Sequence, residues 1–129
     1  MTFSNPMINV YTADLPAALA FYAGLLGFDE TFRAPDPEAP DHIELRLDGV
    51  TLALSTAEAA RPVHGLEASP GSHGFQLAVW TDDVDTAYDA LVAAGAPAYR
   101  PPRDTGNDNR SAVVRDPDGN LVELVAKRA

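Results

Sequence analysis

The sequence predicts an α+β protein made of two tandem copies of one β-α-β-β-β unit. Residues 10–15 (VYTADL) recur as residues 79–84 (VWTDDV), and a helical pattern follows each copy. Each half then closes with an Asp-Gly step into an apolar strand, at Asp48-Gly49 and Asp118-Gly119. A duplication this long indicates two related modules, and we expect them to share one site. The predicted organisation is a first module over 1–56, a linker over 57–73 and a second module over 74–129.

Length, composition and charge limit the class of protein. A chain of 129 residues fits one compact domain or two closely associated half-domains. The formal net charge of −10 opposes nucleic-acid binding and is compatible with attraction of a cationic small molecule. No apolar run approaches a membrane span and no signal-peptide pattern is present, so we expect a cytoplasmic protein without membrane contact. The lack of cysteine excludes disulfides and thiolate metal sites.

Two periodicities define the start of the first module. Alternation over residues 7–12 puts Met7, Asn9 and Tyr11 on one face of a strand. Asp14 then stands at a helix N-cap position, and Gly27 is typical of a helix end. Between them runs one apolar stripe at helical spacing, made of Leu15, Leu19, Tyr22 and Leu26.

Three further strands complete this module. Residues 28–33 predict the second strand, while the prolines of 34–41 predict a loop, because proline rarely fits inside a sheet. Residues 42–47 alternate and place His42, Glu44 and Arg46 on one face. That face either lines a pocket and includes a working pair, or is a solvated strand with charge pairing. After the Asp-Gly turn, residues 50–55 form the last strand.

The linker contains prolines and glycines and is expected to begin with a short helix. In the second module, residues 74–81 predict a strand with Gln76, Ala78 and Trp80 on one face. Asp83 caps the next helix, and Gly95 ends it. The apolar stripe of that helix is Val84, Ala87, Tyr88 and Leu91.

The rest of the second module is predicted as three strands and a polar loop. A short strand over 98–100 precedes two prolines. Residues 103–109 read as a polar loop, and the stretch up to Arg110 is either an active-site lid or an ordinary mobile loop. Strands over 111–115 and 121–126 flank the second Asp-Gly turn.

Taken together, these patterns resemble the vicinal oxygen chelate superfamily, which includes glyoxalase I, extradiol dioxygenases and bleomycin-resistance proteins. The resemblance covers nearly the whole chain. Its most specific part is residues 115–124 (RDPDGNLVEL), together with Phe21-Tyr22, Leu26-Gly27-Phe28 and Asp82-Asp83-Val84. It implies two βαβββ modules whose curved mixed sheet surrounds a common cavity. It also implies a homodimer, because family members often pair modules across subunits.

In metal-using members of that superfamily, the ligands come from the first and last strands of the modules. The matching positions here are Met7, Gln76, Ala53 and Glu123. A divalent metal wants about three protein ligands, but Met7 offers a soft thioether and Ala53 offers no donor. We therefore expect no metal cofactor. The alternative is a divalent Ni, Zn, Mn or Fe ion bound by Gln76 and Glu123.

Three functions stay open. The first, which we favour, is metal-independent binding or sequestration of a small cationic or aromatic molecule in the cavity. The second is a metal-dependent lyase, isomerase or dioxygenase that uses Gln76 and Glu123. The third is a metal-free enzyme with Glu123 as the catalytic base. The residues expected to bind the ligand are Met7, Asn9, Tyr11, Glu44, Gln76, Trp80 and Glu123.

Some of these residues also have a structural interpretation. Tyr11 and Trp80 line the cavity or pack in the core between the sheets. Glu123 needs a partner wherever it lies, because burying an unpaired carboxylate is costly. His64 and His73 lie in the linker and are expected at the surface.

Overall fold

The computed structural model describes residues 1–2, 4–106 and 108–128, and its described part contains two four-stranded mixed sheets. It divides into two compact units, Met1–Pro70 and Gly71–Ala129. No helix in the described part is long and apolar enough to cross a membrane. The elements are β1 (Ile8–Thr12), α1 (Leu15–Leu19) with a π-helical continuation (Ala20–Leu25), β2 (Asp29–Asp36), β3 (Ala39–Leu47), β4 (Val50–Thr56), α2 (Ala57–His64), β5 (Gln76–Trp80), α3 (Val84–Ala93), β6 (Ala98–Thr105), β7 (Asn109–Arg115) and β8 (Leu121–Lys127).

The two sheets have the same topology. Sheet 1 has the strand order β1-β4-β3-β2, and sheet 2 has the order β5-β8-β7-β6. In each sheet the first strand runs parallel to the last, and the remaining pairs are antiparallel. The predicted α+β class and the repeated β-α-β-β-β unit are therefore confirmed.

One face of sheet 1 forms the core of the first unit. Side chains directly opposite each other in a ladder lie on the same face of a sheet. Val10, Leu54 and Ile43 form one such row, and Leu52 and Leu45 form the next. All five are buried, and α1 packs against β4. Apolar burial on this face is the main stabilising contribution of the sheet.

The helix of the first unit begins as predicted but continues differently. The Asp14 carboxylate accepts a hydrogen bond from the Ala17 amide, as an N-cap should. The chain then widens into the π-helical segment, which ends where the Leu26 amide donates to the Phe21 carbonyl at 3.0 Å. The wider turns rotate the side chains away from α-helical spacing. The predicted stripe is therefore only partly right: Leu15 and Tyr22 are buried, with Ala18 and Phe21 in place of Leu19 and Leu26.

The predicted loop over 34–41 is wrong, because β2 and β3 continue through it. Ala34 pairs with His42, and Pro35 pairs with Pro40. The sheet accepts these prolines because β2 is an edge strand and the ladder between β3 and β4 begins only at His42. Neither ring therefore removes a hydrogen bond to a second neighbouring strand.

The second unit follows its prediction more closely. Asp83 accepts from the Thr86 amide at the start of α3, and the buried residues of that helix include Val84 and Leu91. After β7, the Asp116 carboxylate accepts from the amides of Asp118 and Asn120 and from the Asn120 side chain, which closes the Asp-Gly turn. The core face of this sheet carries Leu77, Val79, Ala112, Val114, Val122 and Leu124.

The predicted polar loop over 103–109 is also wrong, since β6 continues to Thr105 and β7 begins at Asn109. Pro101 and Pro102 fall within a register shift between Arg100 and Arg103, on the edge strand of sheet 2. A bulge on an edge is where a sheet tolerates proline. Residue 107 lies outside the described part. The stretch proposed as a lid is thus the end of a β-hairpin.

The predicted short helix at the start of the linker is confirmed as α2. The Thr56 hydroxyl accepts from the Ala59 amide at its N-terminus. Gly65 ends it in the left-handed conformation, with φ of 67°. α2 packs against β4 and β1 of its own unit.

Replacing one core side chain tests the energetic weight of the first sheet. Leu54→Ala is expected to lower the free energy of unfolding by about 2–5 kcal/mol, because it leaves a cavity at a fully buried position. The measurement is denaturant unfolding followed by circular dichroism. Leu66→Ala removes the same atoms from a residue that is 47% exposed and should change the free energy far less. Equal losses in the two variants would contradict this packing.

An ion pair between α3 and β7 makes stability depend on pH. Arg110 donates to both carboxylate oxygens of Asp85, at 2.8 and 2.9 Å, and this hydrogen bonding lowers the pKa of the Asp85 carboxyl. Because the folded-state pKa of Asp85 is lowered, the ion pair stabilises the protein at pH values above the unfolded-state pKa of about 3.9. That stabilisation is lost as the pH falls through the folded-state pKa. Asp85→Asn should therefore be less stable than the parent at neutral pH.

That difference should shrink and disappear in acid. The check is a series of denaturant midpoints between neutral and acidic pH, compared for the two proteins. Asp89→Asn, an exposed carboxylate on the same helix, is the matched control. A gap between parent and Asp85→Asn that persists unchanged at the acid end would refute the electrostatic explanation.

Candidate functional site

The face of sheet 1 opposite its core carries polar side chains, and we call it the Asn9 face. Alternation along β1 places Asn9 and Tyr11 there, as predicted. Ladder partners extend this face across the sheet in two rows. One row is Asn9, Ala53, Glu44 and Phe32, and the next is Tyr11, Ser55, His42 and Ala34.

Four polar side chains of the Asn9 face form one hydrogen-bonded chain. The Ser55 hydroxyl donates to Asn9 Oδ1 at 3.2 Å and lies 2.9 Å from His42 Nδ1. On the other side of the ring, His42 Nε2 lies 2.8 Å from Glu44 Oε2. Ser55 is buried, with 3% of its surface exposed. We call this chain the Asn9–Glu44 relay.

The relay can be satisfied in two proton arrangements. If Ser55 donates to Asn9, both His42 nitrogens must donate, so the imidazole is charged and faces the Glu44 carboxylate. If the Asn9 amide is turned to donate to Ser55, the hydroxyl can donate to Nδ1 and the imidazole is neutral. Both arrangements keep all three hydrogen bonds of the relay.

Two further features surround this face. The Phe32 ring lies edge-on to His42, with 6.4 Å between centroids. A cavity of about 540 Å³ lies beside Glu44, with Met7, Arg46 and Thr51 in its lining. Met7 itself precedes β1 and is 40% exposed. The structure thus brings two predicted ligand-binding residues, Met7 and Glu44, to one cavity.

The corresponding face of sheet 2 holds Gln76, Trp80 and Glu123, and we call it the Glu123 face. Ala78, Glu123, Val113 and Arg100 form one ladder row. Trp80, Val125, Ser111 and Arg103 form the next. Gln76 pairs with Leu121, so it lies one diagonal step from Glu123 on the neighbouring strand.

Glu123 faces an arginine. Arg100 Nη2 lies 4.0 Å from Glu123 Oε2, and both side chains are partly buried. The guanidinium is held by Ser111, whose hydroxyl and carbonyl oxygens accept from Arg100 at 2.6 and 3.1 Å. The carboxylate thus has the partner that its partial burial requires.

Trp80 lies on the surface of the structure and not in its core. Its side chain is 64% exposed and lines a cavity of about 300 Å³ with Thr81, Asp82 and Lys127. The Lys127 ammonium sits 5.7 Å from the centre of the indole ring, within the range of a cation–π contact. The ring face is therefore accessible and already contacts a positive charge.

The two faces are equivalent in backbone and different in chemistry. Ala53 pairs with Asn9 in the same way that Glu123 pairs with Ala78. On the next strand of each sheet the carboxylate and the apolar residue change places. Glu44 on β3 lies opposite Ala53, and Val113 on β7 lies opposite Glu123. Each unit thus carries one carboxylate in this row, on a different strand.

Among the described residues, no three His, Asp or Glu side chains are grouped so that they could hold one metal ion.

Two polar side chains that directly contact the predicted site residues were missed by sequence reasoning. Ser55 joins Asn9 to His42, and Arg100 faces Glu123. The alternation that selected Asn9 also places Ser55 on its face, once the register of β1 with β4 is known. Arg100 precedes two prolines in the sequence and carried no such signal. His64 and His73 are exposed as expected, and His73 lies 2.9 Å from the Gly119 carbonyl oxygen.

Comparison with known proteins places the chain among related sequences and structures. The sequence-family model of the glyoxalase/bleomycin resistance protein/dioxygenase superfamily matches residues 6–124 of this chain. A glyoxalase/bleomycin resistance protein/dioxygenase from Nocardioides is 30% identical, with 98% of this chain and 87% of that chain covered and a TM-score of 0.75. A glyoxalase-related enzyme from Fulvimarina pelagi is 26% identical, with 96% and 88% covered and a TM-score of 0.78.

A third structure, an antibiotic binding protein from a Streptomyces species, is 26% identical to this chain. The match covers 100% of this chain and 99% of that one, with a TM-score of 0.71. A search of curated proteins gave no match.

Removing the hydroxyl at the centre of the relay tests its cohesion. Ser55→Ala is expected to cost about 1 kcal/mol of unfolding free energy, because it removes two hydrogen bonds of a buried hydroxyl to the exposed Asn9 and the half-buried His42. Denaturant unfolding measures the loss. Ser72→Ala, at an exposed position, should stay within about 0.5 kcal/mol of the parent. A Ser55→Ala variant as stable as its control would mean that the relay contributes nothing to the fold.

Proposed function

The chain belongs to the glyoxalase/bleomycin resistance protein/dioxygenase superfamily, and we propose that it binds or sequesters a small aromatic or cationic molecule without a metal ion. The observation that carries this proposal is the ion pair between Glu123 and Arg100. Glu123 is the best metal ligand among the positions that the family pattern selects, and in this protein a guanidinium faces it.

The remaining donors do not fit a divalent metal. Such an ion takes about three protein ligands, with carboxylate or imidazole preferred. Gln76 adds one amide, Met7 a soft thioether and Ala53 nothing. A dication bound at Glu123 would also lie beside the positive charge of Arg100, and the repulsion would weaken its binding. We therefore assign no reaction step to a metal.

Aromatic and electrostatic features support a planar or positively charged ligand. Trp80 presents an exposed ring over a cavity that also contains the Asp82 carboxylate. A ligand ring can stack on the indole, and a ligand cation can take the position of the flexible Lys127 ammonium. The net charge of −10 attracts cations from solution. The antibiotic binding protein among the similar structures is consistent with such a role.

One observation favours a second function, a metal-dependent lyase, isomerase or dioxygenase. Gln76 and Glu123 lie on the same face of the neighbouring strands β5 and β8, one diagonal step apart. Two such donors could share an ion if a third ligand joined them. Metal titration separates the two functions.

Calorimetry on the chelator-treated protein distinguishes these possibilities. We expect no stoichiometric binding of Ni, Zn, Mn or Fe(II), and we expect measurable binding of proflavine, a planar cationic dye. Trp80→Ala should weaken dye binding about tenfold, equivalent to about 1.4 kcal/mol for a stacked ring. Phe75→Ala removes another exposed aromatic ring just before β5 and should leave the affinity nearly unchanged.

Two results would overturn the proposal. Stoichiometric metal binding that disappears in Glu123→Ala would establish the metal-dependent function instead. Dye binding equally insensitive to Trp80→Ala and Phe75→Ala would remove the role given to the indole face.

A further inference from the structure

The first unit contains a second cavity, of about 270 Å³, with the relay at its edge. His42 and Ser55 line it from strands β3 and β4, and Thr56 lines it where β4 passes into α2. It shares no lining residue with the Trp80 cavity. Its volume lies just below the range of about 300–1,000 Å³ that holds drug-sized ligands, so it suits a smaller molecule.

Most of the cavity wall is apolar. Ala34 and Pro35 contribute from β2, and Ala59 and Val63 contribute from α2, where they are one helical turn apart. Val63 is 63% exposed, so part of this apolar wall is open to solvent. A ligand with a small apolar body would cover this surface and gain the corresponding hydrophobic free energy.

The charge of the lining is one-sided. Among the residues that the structure describes, Asp41 is the acidic residue of the lining, and no lysine or arginine belongs to it. His42 and His64 are the other ionisable residues in this described lining. An anionic ligand would therefore face the Asp41 carboxylate with no fixed positive charge to balance it, whereas a cation would be paired.

The polar edge can accept further hydrogen bonds. A hydroxyl oxygen has two acceptor positions, so Ser55 Oγ can accept one donor while it takes part in the relay. An ammonium group has three N–H donors, which could be shared between Ser55 Oγ and the Asp41 carboxylate. A mainly apolar lining that includes one aspartate and one serine matches an alkyl- or arylammonium ion.

We propose that this cavity binds a small primary amine, in its ammonium form, with an apolar body about the size of one aromatic ring. The site is built within residues 34–64, so it stands independently of the function proposed for the Glu123 face. Asp41 gives the charge preference, and Ala34, Pro35, Ala59 and Val63 give the size limit.

Histidine resonances locate the ligand. The chain has three histidines; His42 and His64 line the cavity, and His73 lies in the second unit. The test titrates the full chain with benzylamine at about pH 8, where unperturbed imidazoles are neutral and the amine stays charged. We expect the imidazole signals of His42 and His64 to shift and that of His73 to stay in place. Shifts at His73 alone, or no saturable shift, would overturn the proposal.

A neutral isostere and two variants test the chemistry. Benzyl alcohol has the same shape without the charge and should bind about tenfold more weakly than benzylamine. Asp41→Asn should bring benzylamine affinity down to that of the alcohol, whereas Asp29→Asn, an exposed carboxylate at the start of β2, should change it less than twofold. Equal affinity of the two compounds, or equal effects of the two variants, would refute the charge preference.

A third variant keeps this result separate from the Trp80 proposal. Trp80→Ala should leave the benzylamine-induced shifts of the His42 and His64 signals unchanged, since the indole lines a different cavity. Loss of these shifts in Trp80→Ala with none in Asp41→Asn would overturn the assignment of the amine to this cavity. The histidine spectrum of each free variant shows whether it is folded.

Discussion

The register between the parallel strands of each unit is the constraint on which the rest depends. Pairing of β1 with β4 puts Val10 beside Leu54 on the core face and Asn9 beside Ala53 on the other. A slip of one residue would exchange the two faces, since successive side chains point to opposite sides of a sheet. The near-complete burial of Leu52 and Leu54 opposes that slip, because it would expose both to solvent. Hydrophobic burial on one face thereby positions the polar groups on the other.

The two modules share the same parallel strand register but carry different polar side chains on the face that it positions. Both sheets place a carboxylate in the same ladder row, but Glu44 lies on β3 and Glu123 on β8. Each has acquired a basic partner from its own unit, His42 for Glu44 and Arg100 for Glu123. A paired carboxylate is available to orient a ligand by hydrogen bonding and less available to coordinate a metal. Membership of the superfamily therefore sets the fold and leaves the chemistry to the individual faces.

The sequence was sufficient for what depends on short-range patterns. The helix N-caps at Asp14 and Asp83, the turn at Asp48-Gly49 and the Asn9 face follow from neighbours a few residues apart. What it missed depends on strand order. A proline excludes a strand only when that strand has a neighbour on each side. β2 and β6 are edge strands with one neighbour each, so their prolines did not mark loops. Ser55 and Arg100 became recognisable only when the ladders brought them next to His42 and Glu123.

The prolines of β2 and β6 also determine which edge of each sheet can pair with an added strand. An exposed edge strand offers unpaired amides and carbonyls to any other strand that approaches it. Pro35 on β2 and Pro101 with Pro102 on β6 lack amide hydrogens, so these two edges are poor templates for such pairing. The opposite edges, β1 and β5, contain no proline. Pairing by an added strand, including pairing that leads to aggregation, is therefore less hindered at the β1 and β5 edges than at the β2 and β6 edges.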